Sequence, residues 1–168
     1  KGIFGYGTTG SVVSMTNLVS NAGVVATDVT GVGTARKQQG ACEYGGDKGI
    51  FGFGTTGSNV SMSNLVSNSG VVATDVTGVG TARHGLAACR YGGDKGIFGF
   101  GGTSYLALSS LSNLVSNSGV VATDTTGVGT ARFNLAATEY GNDKGIFGFG
   151  DSGSYTGVTN LVSNAGVV

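Results

Sequence analysis

Apolar positions fall along this chain in short clusters, each ended by glycine or asparagine. Ala41-Cys-Glu-Tyr44 is a run of small residues closed by an aromatic, and Gly45-Gly-Asp-Lys48 follows it. Gly49-Ile-Phe-Gly-Phe-Gly54 then alternates glycine with large apolar side chains. Val60-Ser-Met-Ser-Asn-Leu-Val-Ser67 alternates less perfectly towards its end, and Asn68-Ser-Gly70 separates it from Val71-Val-Ala-Thr74. Strands half buried on one face read this way, and Gly/Asp pairs are the turn chemistry of hairpins. No window carries apolar residues at a 3.6 period over three turns, so the pattern predicts four short strands and no helix.

The same pattern is written out repeatedly. Lys-Gly-Ile-Phe-Gly opens at Lys1, Lys48, Lys95 and Lys144, at steps of 47, 47 and 49 residues. Asn17, Asn64, Asn113 and Asn160 keep the same phase, as do Arg36, Arg83 and Arg132. The two extra residues lie between Gly101 and Asn113, which predicts a longer loop on one face of one unit. Repetition at such a period means a supersecondary unit that buries its faces against its neighbours.

Composition changes the picture in one respect. With 34 glycines, the chain would suggest a linker, but each glycine recurs at a fixed phase beside aromatic and β-branched residues. That is turn and packing punctuation. The net charge is zero and no basic run exceeds Arg36-Lys37, which argues against nucleic acid as a partner. No apolar run approaches the roughly 18 residues of a membrane helix, and the strands are too short and glycine-broken for a membrane barrel, so no membrane insertion is expected. Cys42 and Cys89 are 47 residues apart, at equivalent places in neighbouring units, and are expected to be free and buried.

Four short antiparallel strands in about 47 residues is the pattern of a β-propeller blade. The order Thr-Ala-Arg, a small-residue strand, then Gly-Gly-Asp-Lys-Gly-Ile-Phe-Gly-Phe-Gly and an Asn-rich turn resembles the kelch repeat. The resemblance runs over nearly the whole chain. Gly-Phe-Gly stands where kelch has its glycine pair, and the kelch tryptophan is absent, with Val71-Val72 in its place. The near-identical copies are more similar to kelch-like repeats in tail and fibre proteins of bacteriophages than to cellular kelch adaptors. The resemblance implies an all-β propeller of four-stranded blades: an incomplete blade at 1–30, then blades at 31–77, 78–126 and 127–168. In that phase the chain supplies 15 strands of an expected 16.

Candidate chemistry is sparse. Gly5-Tyr-Gly-Thr-Thr-Gly10 and its copies match G-x-G-x-x-G, but no helical pattern follows to hold a pyrophosphate, so no dinucleotide cofactor is expected. His84, the only histidine, aligns with Lys37 and Phe133 and reads as a variable exposed position without metal-ligand partners. Asp28, Asp75 and Asp124 read as turn residues, with the arginine eight residues later bonding the carboxylate or nearby carbonyls. Asp47-Lys48, Asp94-Lys95 and Asp143-Lys144 read as solvated hairpin tips, and Asn59-Val-Ser61 is a glycosylation sequon.

Variation between units concentrates at Lys37, Gln38, Gln39, His84, Phe133, Asn134 and in the insertion holding Tyr105 and Leu106, which makes these the candidate partner-contact loops. The expected function is a non-enzymatic structural or interaction module without metal or cofactor, within a larger assembly such as a viral fibre or surface appendage. Its expected partners are other protein chains, further copies of itself above all, in a virion or outside the cell. A lectin-like propeller binding glycan between blades is the alternative, and it would hold the same polar residues in every blade. A kelch-like oxidase would need Tyr, His and Cys ligands that a single histidine does not supply. The chain opens on repeat sequence without an initiator methionine, and is read as part of a longer product.

Overall fold

A computed structural model describes all 168 residues, and it is all-β, with no helix long and apolar enough to cross a membrane. Unit one carries β1 (Gly2–Thr8) and β2 (Val12–Val19). Unit two carries β3 (Gly40–Tyr44), β4 (Lys48–Gly52) and β5 (Ser63–Val66). Unit three carries β6 (Ala87–Tyr91), β7 (Lys95–Gly99), the small hairpin β8 (Gly102–Ser104) and β9 (Ala107–Leu108), and β10 (Ser112–Val115). Unit four carries β11 (Ala136–Tyr140), β12 (Lys144–Gly148) and β13 (Thr159–Val162).

The glycine turn sets the first pairing. Gly45 and Gly46 sit at φ 63° and 78°, where glycine has no Cβ to clash, and Tyr44 then pairs with Lys48. Each main sheet is an antiparallel meander, β3-β4-β5, β6-β7-β10 and β11-β12-β13. The expected fourth strand is not regular. In unit two it reduces to the bridges Ser63↔Val76 and Val66↔Val72, because the Asn64 side chain donates to Ala73 O (3.0 Å) and takes the place of a backbone rung.

The sheets stack face to face through a ring-and-glycine contact. A Cβ on Gly52 would lie 2.7 Å from Cζ of Phe98, and one on Gly99 would lie 2.6 Å from Cζ of Phe147. Phe51 meets Gly5 in the same way at 2.9 Å. Glycine is needed here because only its bare backbone admits the next unit's ring. The first strand of each sheet also packs onto the second strand of the next: Cys42 Sγ would lie 2.6 Å from a Cβ on Gly96, and Cys89 Sγ at the same distance from one on Gly145. Equivalent turns are tied by Gly45 N–H to Asp94 O (2.7 Å) and Gly92 N–H to Asp143 O (2.8 Å).

One expectation needs correction. Phe53 does not continue β4: the strand ends at Gly52, and Phe53 takes φ 62°, which turns its ring into the core while Gly54 N–H bonds Arg83 O (3.0 Å) of the next unit. Tyr6, Phe100 and Phe149 repeat this left-handed conformation, uncommon for a bulky side chain. The sheets form an open row, and no strand pairing or hydrogen bond joins unit one to unit four, so the four units do not make a closed ring.

Candidate partner-contact surface

The variable positions share one backbone frame. Each follows a buried arginine and bridges to the loop after the second strand of its sheet: Lys37↔Thr55, His84↔Gly102 and Phe133↔Asp151. The next residue is left-handed in every unit, at φ 57° for Gln38, 64° for Gly85 and 51° for Asn134. These three are chained across the stack by Gly85 N–H to Gln38 O (3.0 Å) and Asn134 N–H to Gly85 O (2.7 Å). The frame is constant while the side chains differ, so the contact loops lie in one row at one end of the sheets.

The arginine beneath each position is held within its own unit. Arg83 donates from Nε to Phe100 O (2.8 Å), from Nη1 to Thr81 O (3.1 Å) and from Nη2 to Asn113 Oδ1 (2.6 Å). Its carboxylate neighbour is Asp124, at 3.7 Å, and Arg36 lies 3.9 Å from Asp75. The expected pairing with the arginine eight residues later is therefore wrong. Asp75 instead accepts Thr34 N–H (3.0 Å), Thr34 Oγ1–H (2.6 Å) and Asn64 Nδ2–H (2.9 Å), which fastens the end of unit two to its own start.

His84 also departs from expectation, since it is buried. The inserted residues form the β8-β9 hairpin, and Tyr105 at its tip reaches back between His84 (ring centroids 5.6 Å apart) and Phe133 (5.3 Å), both edge-on. Asn59 gives its Nδ2–H to Thr103 O (2.8 Å), which leaves Oδ1 facing His84 Nδ1 at 2.8 Å. His84 therefore carries its proton on Nδ1 and donates it, and burial lowers its pKa. Asn59, singled out from the sequence only as a sequon, is the residue that pins the hairpin.

The remaining candidates spread along the row. Gln39 Nε2–H bonds Gly5 O (3.0 Å), Lys37 and Asn134 are exposed, and Leu106 is 99% exposed at the hairpin tip. Tyr155 is exposed in the matching loop of unit four, where Asp151 bridges to it; no sequence signal distinguished it. Cys42 and Cys89 are free; Cys89 is buried as expected but Cys42 is half-buried, and loss of water around them pushes both thiols up, Cys89 to about 12. No three His, Cys, Asp or Glu side chains come together, and Gly5–Gly10 spans the β1-β2 hairpin rather than a strand-to-helix turn. Compared with known protein families and with curated proteins, the chain matches none.

Proposed function

We propose that the chain is a non-enzymatic structural module that adds further units of its own kind, a sector of a kelch-like propeller built into a larger assembly such as a viral fibre or surface appendage. One observation carries this. Phe51, Phe98 and Phe147 each fill the space over a glycine of the preceding sheet, whereas the equivalent Phe4 has no sheet over it and is 64% exposed. At the other end Gly148 meets only Thr159 of its own sheet (3.5 Å), and Phe149 is 63% exposed. The knob at one end thus has its matching hole at the other, on a different surface, so self-association is head to tail and leads to a ring or a filament.

Sedimentation velocity across a concentration series tests it. The native protein should run above the 16.5 kDa monomer, and Phe4→Asp should return it to that mass. A native protein that stays monomeric throughout overturns the proposal.

A further inference from the structure

The first two sheets enclose a groove of about 1060 Å³, and comparison between units shows what fits it. The second strands β4, β7 and β12 are paired on both edges, but β1 pairs only with β2, and with Gly5 O taken by Gln39 this leaves the other edge of Lys1–Phe4 open. An open edge of this kind is a template for a further strand.

Three contacts present elsewhere in the stack are vacant here. Gly96 and Gly145 are each covered by a cysteine sulfur of the preceding sheet, while Gly49 in the same place meets only Val66 Cβ (3.6 Å) and Cys42 O (3.8 Å) of its own. A Cβ on Gly119 would lie 2.9 Å from the Tyr44 ring and one on Gly166 2.8 Å from the Tyr91 ring, while one on Gly70 would meet Leu18 first and no ring. Asp94 O and Asp143 O accept N–H groups from the preceding turn, and Asp47 O accepts none. Gly49, Gly70 and Asp47 all line the groove.

Charge gives a fourth mark. Glu43, Arg90 and Glu139 occupy one position in successive units, and Arg90 pairs with both acids, at 3.0 Å to Glu43. Glu43 also lines the groove, so a strand lying there sets its own residue at that position beside a carboxylate.

We propose that this groove binds, by strand addition, an extended segment carrying the repeat's own first-strand pattern: a small residue over Gly49, a basic residue beside Glu43, a tyrosine over Gly70, and a glycine whose N–H reaches Asp47 O. Cys89-Arg-Tyr-Gly92 has that order. Backbone pairing with β1 supplies affinity and the four side-chain positions supply specificity. The proposal stands apart from the assembly reading.

The probe is a nine-residue peptide with the sequence of residues 86–94, serine replacing its cysteine, titrated calorimetrically into the full 168-residue protein. Saturable one-to-one binding is expected. Reversing the peptide's arginine to glutamate should weaken it at least about tenfold, through the charge beside Glu43. Gly49→Val should abolish it, and Gly49→Ala should weaken it; a Cβ at Gly49 makes only ordinary contacts, so both variants should keep the native circular dichroism. No saturable binding, binding indifferent to the charge reversal, or equal binding by Gly49→Val overturns the proposal. Peptide binding by a strictly monomeric protein leaves the groove standing and removes the assembly reading. Assembly without peptide binding does the reverse.

Discussion

The guanidinium carbon of Arg83 lies 4.5 Å from the centre of the Phe53 ring, and the two residues belong to successive units. Arg36 stands over Tyr6 at 4.3 Å and Arg132 over Phe100 at 4.1 Å in the same way. The arginine thus serves two purposes, closing its own unit through Asn113 and Asp124 and capping the aromatic knob of the unit before. Burial pulls the Arg83 pKa down to about 10 against the raising effect of Asp124, so it stays charged at neutral pH.

Removing that side chain strands buried partners. Arg83→Ala should cost about 3–5 kcal/mol in urea unfolding, and Arg83→Lys should recover only part, since an ammonium cannot reproduce the three-way fork. Arg36→Ala should cost less, because Arg36 makes one such bond, to Thr34 O at 3.2 Å. Equal losses at the two sites would contradict this account of the arginines.

The glycine contacts predict a contrast between two chemically identical changes. Gly99→Ala places a methyl group 2.6 Å from the buried Phe147 ring and should cost about 1–3 kcal/mol. Gly148→Ala, at the uncovered end, meets only Thr159 at 3.5 Å and should fall within about 0.5 kcal/mol of the parent. Similar denaturation midpoints for the two would rule out the stacking contact.

Both thiols should resist a thiol reagent at pH 8 in the folded protein and react on unfolding, since burial disfavours each thiolate. The pH dependence has a definite sign. With folded values raised above the ordinary thiol value of 9.0, the thiols contribute full stability below that pH and lose it as pH rises through the folded values. Replacing both cysteines by alanine should flatten the alkaline loss.

The acid limb runs the other way. Burial raises the carboxyls of Asp75 and Asp124, but hydrogen bonds from Thr34 and Asn64, or from Thr81 and Asn113, together with the facing arginine, outweigh it and leave both below 3.8. Their contribution is complete above that value and lost as pH falls through the folded values. Asp75→Asn with Asp124→Asn should lower stability at pH 7 and make it less dependent on pH in the acid range.

What the sequence conveyed was local. The turn at Gly45-Gly46 and the strand from Lys48 to Gly52 follow from glycine phase and alternation over a few residues. Phe53 was misplaced because alternation alone continues the strand, whereas its left-handed turn depends on a hydrogen bond to Arg83, 30 residues on. The burial of His84 comes from Tyr105, and the pairing of Arg36 with Asp75 crosses a whole unit; neither partner is marked by spacing. The blade count left a ring one strand short, and the four units make an open row. The contact loops were found as a set because they vary where everything else repeats. Their geometry was not, because it belongs to a frame built between units.

The central claim is that one end of the stack continues into the other end of a second copy, and a paired cysteine cross-link tests it most directly. Cys89 Sγ lies 2.6 Å from the place of a Cβ on Gly145, so cysteines at those two positions are close enough to bond. Thr138 and Gly2 are their equivalents at the free ends of the row. With Cys42 and Cys89 changed to alanine, the double variant Gly2→Cys, Thr138→Cys should oxidise to covalent multiples of 16.5 kDa or a closed ring, while either single variant, whose thiol faces no thiol across a head-to-tail contact, stays at 16.5 kDa. A natively folded double variant that gives only the 16.5 kDa band, with both thiols free, would contradict the account.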